Sequence, residues 1–94
     1  MTPLTIIQQQ LQGTPFSAYL FGSRATGKAH NKSDWDIAII GPARLDAILL
    51  MQIEESLESA NFPNEVDIVD LFTAPPGLRE EILKTIDRSK NTII

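Results

Sequence analysis

Apolar positions along the chain switch between two periods, and the switches mark its elements. Leu4, Ile7 and Leu11 recur at helical spacing and Pro3 suits a first turn, so residues 3–11 predict a short helix. Gly13-Thr14-Pro15 ends it. Residues 16–21, closing on the apolar run Ala18 to Phe21, predict a first strand, and the polar, glycine-punctuated residues 22–33 a loop with one helical turn. Residues 35–40 predict a second strand, with Ile37 and Ile39 on the face opposite Asp34 and Asp36. Gly41-Pro42 breaks that strand. Residues 43–60 predict the longest helix, with Leu45, Ile48, Leu49, Ile53 and Leu57 as its apolar stripe and Glu54, Glu55 and Glu58 on its wet face. Leu50 and Met51 fall off this stripe, where they either pack at its margin or face a partner. Residues 65–72 predict a third strand and residues 73–77 a Pro-rich connection. Residues 78–89 predict a last helix with Leu78, Ile82, Leu83 and Ile86 inward, and residues 91–94 a short final strand. Strands alternating with helices over residues 1–94 predict one α/β domain, its helices packed on one face of a small β-sheet.

Length and charge narrow the function. A chain of 94 residues can bury roughly 60–65 % of its unfolded surface. It has no cysteine, so neither disulfides nor thiol chemistry operate, which suits a reducing cytoplasm. Its start lacks a basic, then apolar, signal pattern, and no apolar run approaches the ~20 residues of a membrane span. The net charge of −4 argues against direct nucleic-acid binding, which calls for a broad basic face. The charge is uneven: residues 24–33 carry Arg24, Lys28 and Lys32, with His30, and no acid. Such a loop either faces phosphate or is simply solvated.

The chemistry concentrates in residues 19–37. Gly22 ends a strand-like run, where the lack of a Cβ permits a sharp turn and close approach to a ligand. Ser23 then opens a helical turn whose hydroxyl and backbone N–H groups suit a phosphate. Asp34 and Asp36 share a strand face, where two carboxylates repel unless a cation joins them. Oxygen-only ligands favour a hard ion, Mg²⁺ above all. Asp67 falls on the face opposite Val66 and Ile68, the same side as Asp34 and Asp36, while Asp70 has core parity near the strand end. Glu65 and Asp70 read as surface charges. Trp35 alternates toward the core, and the lone His30 has no evident ligand partner. Arg24 either contacts phosphate or pairs with a nearby aspartate and holds the loop, and Ser33 either caps the turn or helps position phosphates.

Phe21-Gly22-Ser23-Arg24-Ala25-Thr26-Gly27, followed by Ser33-Asp34-Trp35-Asp36, resembles the signature of the DNA polymerase beta-like nucleotidyltransferase superfamily, and in particular its minimal nucleotidyltransferase branch. The resemblance runs over roughly residues 16–72. It implies a nucleotidyltransferase fold with a small mixed sheet, and an ATP or other nucleoside triphosphate substrate held by Gly22, Ser23, Arg24 and Ser33. It further implies two Mg²⁺ ions on the catalytic carboxylates Asp34, Asp36 and Asp67, with Asp67 matching the third aspartate. Proteins of this appearance are antitoxins paired with HEPN-domain ribonuclease toxins, and can adenylylate a tyrosine of the toxin. The expectation is therefore a Mg-dependent transfer of AMP to a partner hydroxyl. A non-catalytic module that neutralises its partner by complexation is the alternative, and transfer to a small molecule a third.

Overall fold

The computed structural model describes residues 1–30 and 32–86. Helix α1 spans Pro3–Leu11, and the Thr2 side chain caps it by accepting from the Thr5 N–H at 3.2 Å. Strand β1, Ser17–Phe21, runs antiparallel to β2, Trp35–Ile40, and β2 runs parallel to β3, Val66–Asp70. The sheet order is β1-β2-β3, so β2 is central and the sheet is mixed. Helix α2 spans Ala47–Ala60 and helix α3 Pro76–Thr85. The predicted final strand at 91–94 and the predicted helical residues 87–89 lie outside the described residues.

Strand parity sorts the packing. Ala18 and Leu20 of β1 sit opposite Ile39 and Ile37 of β2. On that face they join Leu4, Ile7 and Leu11 of α1 and Ile53 of α2 in the main core. The expected packing of helices on one face holds for α1 and α2. Helix α3 goes to the other face, where its Ile82 is fully buried with Ala38 and Leu71. Ala38 is small enough to admit a helix there, a tertiary fit that strand alternation does not encode.

Two helices differ from expectation in detail. Helix α2 begins at residue 47, not 43, because Asp46 caps it by accepting from the Leu49 N–H at 3.1 Å. The shorter helix is turned about its axis. Ile48 is 61 % exposed, while Leu50 packs on the core with Leu49 and Leu57. Leu45 is buried, but ahead of the helix, where its N–H donates to the Asp70 carboxylate at 2.9 Å. Helix α3 ends at Thr85, and Leu78 and Leu83 are exposed rather than inward. No helix among the described residues is long and apolar enough to cross a membrane.

Candidate active site

The site forms where β1 ends beside the middle strand. In register, Phe21 faces Asp36, and Asp36 faces Asp67 on its other side. The chain must therefore leave β1 next to a carboxylate, and Gly22 is the residue that allows this. Its φ is +72°, and a Cβ there would meet Asp36 Oδ2 at 2.6 Å. A short 3₁₀ turn, Gly22–Arg24, follows, with Ala25 and Thr26 N–H groups both donating to the Gly22 carbonyl. Ser23 is half-buried in this turn. The Gly22 N–H donates to Thr85 Oγ1 at 3.3 Å, which ties the turn to the end of α3.

The far side of the loop is closed by Arg24. Its guanidinium donates to the Ser33 carbonyl at 2.8 Å and the Asp34 carbonyl at 3.3 Å, and its Cζ lies 3.9 Å from the Trp35 ring centroid. This is the loop-holding arrangement, achieved through main-chain carbonyls rather than a carboxylate. Ser33 Oγ accepts from the His30 N–H at 3.0 Å, so its hydroxyl caps the turn ahead of the aspartates. Asn64 Nδ2 also donates to the Ser33 carbonyl, fastening the loop to the start of β3. Lys28 and Lys32 are exposed. Trp35 packs against the main core, as its alternation predicts.

Carboxylates converge here from the residues just ahead of β2 and β3 and from β3 itself, and Asp36 is not in this group. One oxygen each from Asp34, Glu65 and Asp67 lies within 4.8 Å of the others, and all three residues are exposed. Asp36, next to Asp67 in register, has its carboxyl raised above its ordinary value by burial first, then by Asp67 and Asp34. This all-oxygen, mutually repelling set fits a hard divalent cation. Asp70 stands apart, with its carboxylate accepting from the Leu45 and Phe72 N–H groups. Sequence reasoning missed Glu65, although it shares strand parity with Asp67 two residues on. It also missed Asn64 and Thr85, whose contacts are purely tertiary.

The comparisons agree with this geometry. A family profile described as polymerase beta, nucleotidyltransferase matches residues 6–88. The probable protein adenylyltransferase MntA of Haemophilus influenzae is 36 % identical over 80 residues, covering 85 % of this chain and 68 % of that protein. The protein adenylyltransferase MntA of Shewanella oneidensis is 38 % identical over 65 residues, covering 69 % of this chain and 46 % of that protein. The chain thus spans about two thirds of one relative and less than half of the other. Among solved structures, a crystal structure of a toxin–antitoxin with AMP-PNP superposes with a TM-score of 0.68 at 30 % identity, covering 92 % of this chain and 70 % of that one.

Proposed function

Because this chain belongs to the polymerase beta nucleotidyltransferase family, we propose that residues 1–94 supply the nucleotidyl-transfer unit of an antitoxin. It moves AMP from ATP to a hydroxyl of a partner protein, a tyrosine of a HEPN-domain ribonuclease toxin. Support comes from the relatives named protein adenylyltransferase and from the likeness to a toxin–antitoxin structure with AMP-PNP. The single observation that carries the reading is the register, which sets Asp36 between Asp67 and the strand end leading into Gly22.

Each residue has a role in this account. Gly22 and Ser23 hold the β- and γ-phosphates, since the turn after β1 brings backbone and hydroxyl close to the carboxylates. Arg24 and Ser33 keep the loop closed and add the positive and hydroxyl groups on its far side. Asp34, Asp36 and Asp67 would hold two divalent cations, Mg²⁺ by the all-oxygen chemistry of the donors. When bound, such cations neutralise triphosphate charge and lower the pKa of an acceptor hydroxyl. The acceptor oxygen bonds to the α-phosphorus, the bond from that phosphorus to the bridging oxygen breaks, and pyrophosphate leaves. The hydroxyl proton passes to the Asp67 carboxylate. Positioning and charge neutralisation do most of the work in such transfers.

The test is α-phosphate-labelled ATP with Mg²⁺, given to the protein with its partner present, beside the Asp34→Asn/Asp36→Asn variant. Label on one protein band with the wild type alone is the expected result. No aspartate-dependent label, with both proteins folded, would leave neutralisation by complexation as the reading.

A further inference from the structure

Two cavities outside the nucleotide corner join along the third strand. One, of about 500 Å³, lies between α2 and β3 and ends at Asp67. The other, of about 400 Å³, continues past Arg44 and Thr73, and both are lined by Leu50 and Ile68. Together they form one groove along the edge of the sheet. Among the described residues the sheet ends at β3. Toward β2, the Glu65 carbonyl accepts from Trp35 and the Leu71 N–H donates to Ile39. Residues of odd number thus turn inward, and the backbone groups of Val66 and Ile68 turn to the open edge.

The lining is chemically lopsided. Leu57, Phe62 and Val66 supply apolar surface, and the rim at the Asp67 end carries Glu54, Glu58 and Asp67 with no basic residue among the described ones. Glu54 and Glu58 are one helical turn apart on α2 and both exposed. Asp34 and Glu65 extend the negative field at the same end. Among the described residues the one base on the groove is Arg44, at the far end.

We infer that this groove docks the acceptor, and that it selects an extended segment in which the hydroxyl-bearing residue is flanked by lysine or arginine. The inference rests on the proposed transfer reaction and adds to it the acceptor's class and path. An extended segment can pair with the free edge of β3, as peptides do when they add a strand to a sheet. Its apolar or aromatic part fills the floor, and its basic flanks meet Glu54 and Glu58. Side chains of an added strand alternate between faces, so the residue level with Asp67 turns to the carboxylate face, where its hydroxyl meets the carboxylate that takes the proton. The new bond is from that oxygen to the α-phosphorus, with pyrophosphate leaving. An acidic rim also speeds encounter with a basic segment and makes docking sensitive to salt.

The experiment uses two synthetic peptides of equal length, each with one tyrosine, flanked by Arg and Lys in one and by Glu in the other. Labelled AMP transfer to each is measured with the whole chain and with the Glu54→Lys/Glu58→Lys variant, and ATP binding is measured separately by calorimetry. The wild type is expected to modify the basic peptide and not the acidic one. The variant is expected to raise KM for the basic peptide by about tenfold, to gain transfer to the acidic peptide, and to bind ATP unchanged. Transfer that ignores the flanks, or a variant with unaltered peptide KM, overturns the groove assignment while leaving the transferase intact. Failure of the wild type to modify either peptide although ATP binds does the same. A fall in melting temperature with unaltered peptide KM would show the groove covered by another part of the same protein, also against the inference. Failure to bind ATP at all removes the transferase reading with it.

Discussion

The two faces of β2 are built from alternating residues of one six-residue strand, yet they answer to opposite demands. Ile37 and Ile39 have no exposed surface and lock the sheet onto α1 and α2. Asp36 points the other way, beside Asp67 and against the Gly22 turn, with its carboxyl raised above its ordinary value by burial and by its neighbours' charge. The first face stabilises the fold unaided. The second spends stability to keep carboxylates together until a ligand joins them. Alternation lets one short strand carry both without compromise, because a substitution on one face leaves the other face's contacts in place.

The comparison can be broken first on its stable side. Ile39→Ala should cost about 2–5 kcal/mol, because it opens a cavity in a core built from α1, α2, β1 and β2. Urea unfolding should show it as a shifted midpoint with the slope unchanged. Gly22→Ala stands at the border between the faces. A left-handed φ and a Cβ against Asp36 Oδ2 should cost about 1–3 kcal/mol and also displace the carboxylate, so ATP binding by calorimetry should fall with stability. Asp36→Asn should separate the faces most cleanly, abolishing labelled AMP transfer while leaving the circular dichroism spectrum unchanged. Its effect on metal-free stability has a pH sign. The folded carboxyl is raised, so its contribution is complete below the ordinary carboxylate range and is lost as pH rises through the folded value. Wild type and variant should melt alike in acid with chelator, and the wild type should fall behind as pH rises. Ile48→Ser, on the exposed flank of α2, should change stability by no more than about 0.5 kcal/mol in the same urea assay.

The sharp division between faces also explains what was legible in the sequence. The bounds of α1 and β2 follow directly from Pro3, the Gly13 turn and the Ile37/Ile39 alternation, and all are local signals. The placement of Asp36 beside Asp67 is readable because strand parity decides it, whereas the three carboxylates within reach of one another are Asp34, Glu65 and Asp67, with Glu65 in place of Asp36. The start of α2 is not legible locally, because Ala43 to Leu45 are tolerable in a helix and only the Asp46 cap decides against them. With Leu45 outside the helix, the core stripe runs through Leu49, Leu50, Ile53 and Leu57, and Ile48 is exposed. The seat of α3 on the carboxylate face rests on Ala38 and Ile82, two residues far apart in sequence that local periods cannot pair. The Thr85 tie to Gly22 has the same character. Arg24 was open between two roles because a guanidinium reaches either phosphate or carbonyl, and its partners are set by the loop's closure.

The carboxylate face should oppose folding until a divalent cation joins it. Thermal melting of the wild type and Asp36→Asn, in chelator and then across added Mg²⁺ at neutral pH, measures this. The variant should melt higher than the wild type in chelator, and Mg²⁺ should raise the wild type and close or reverse that gap. A wild type that melts above the variant without metal, and that does not respond to Mg²⁺, would contradict it.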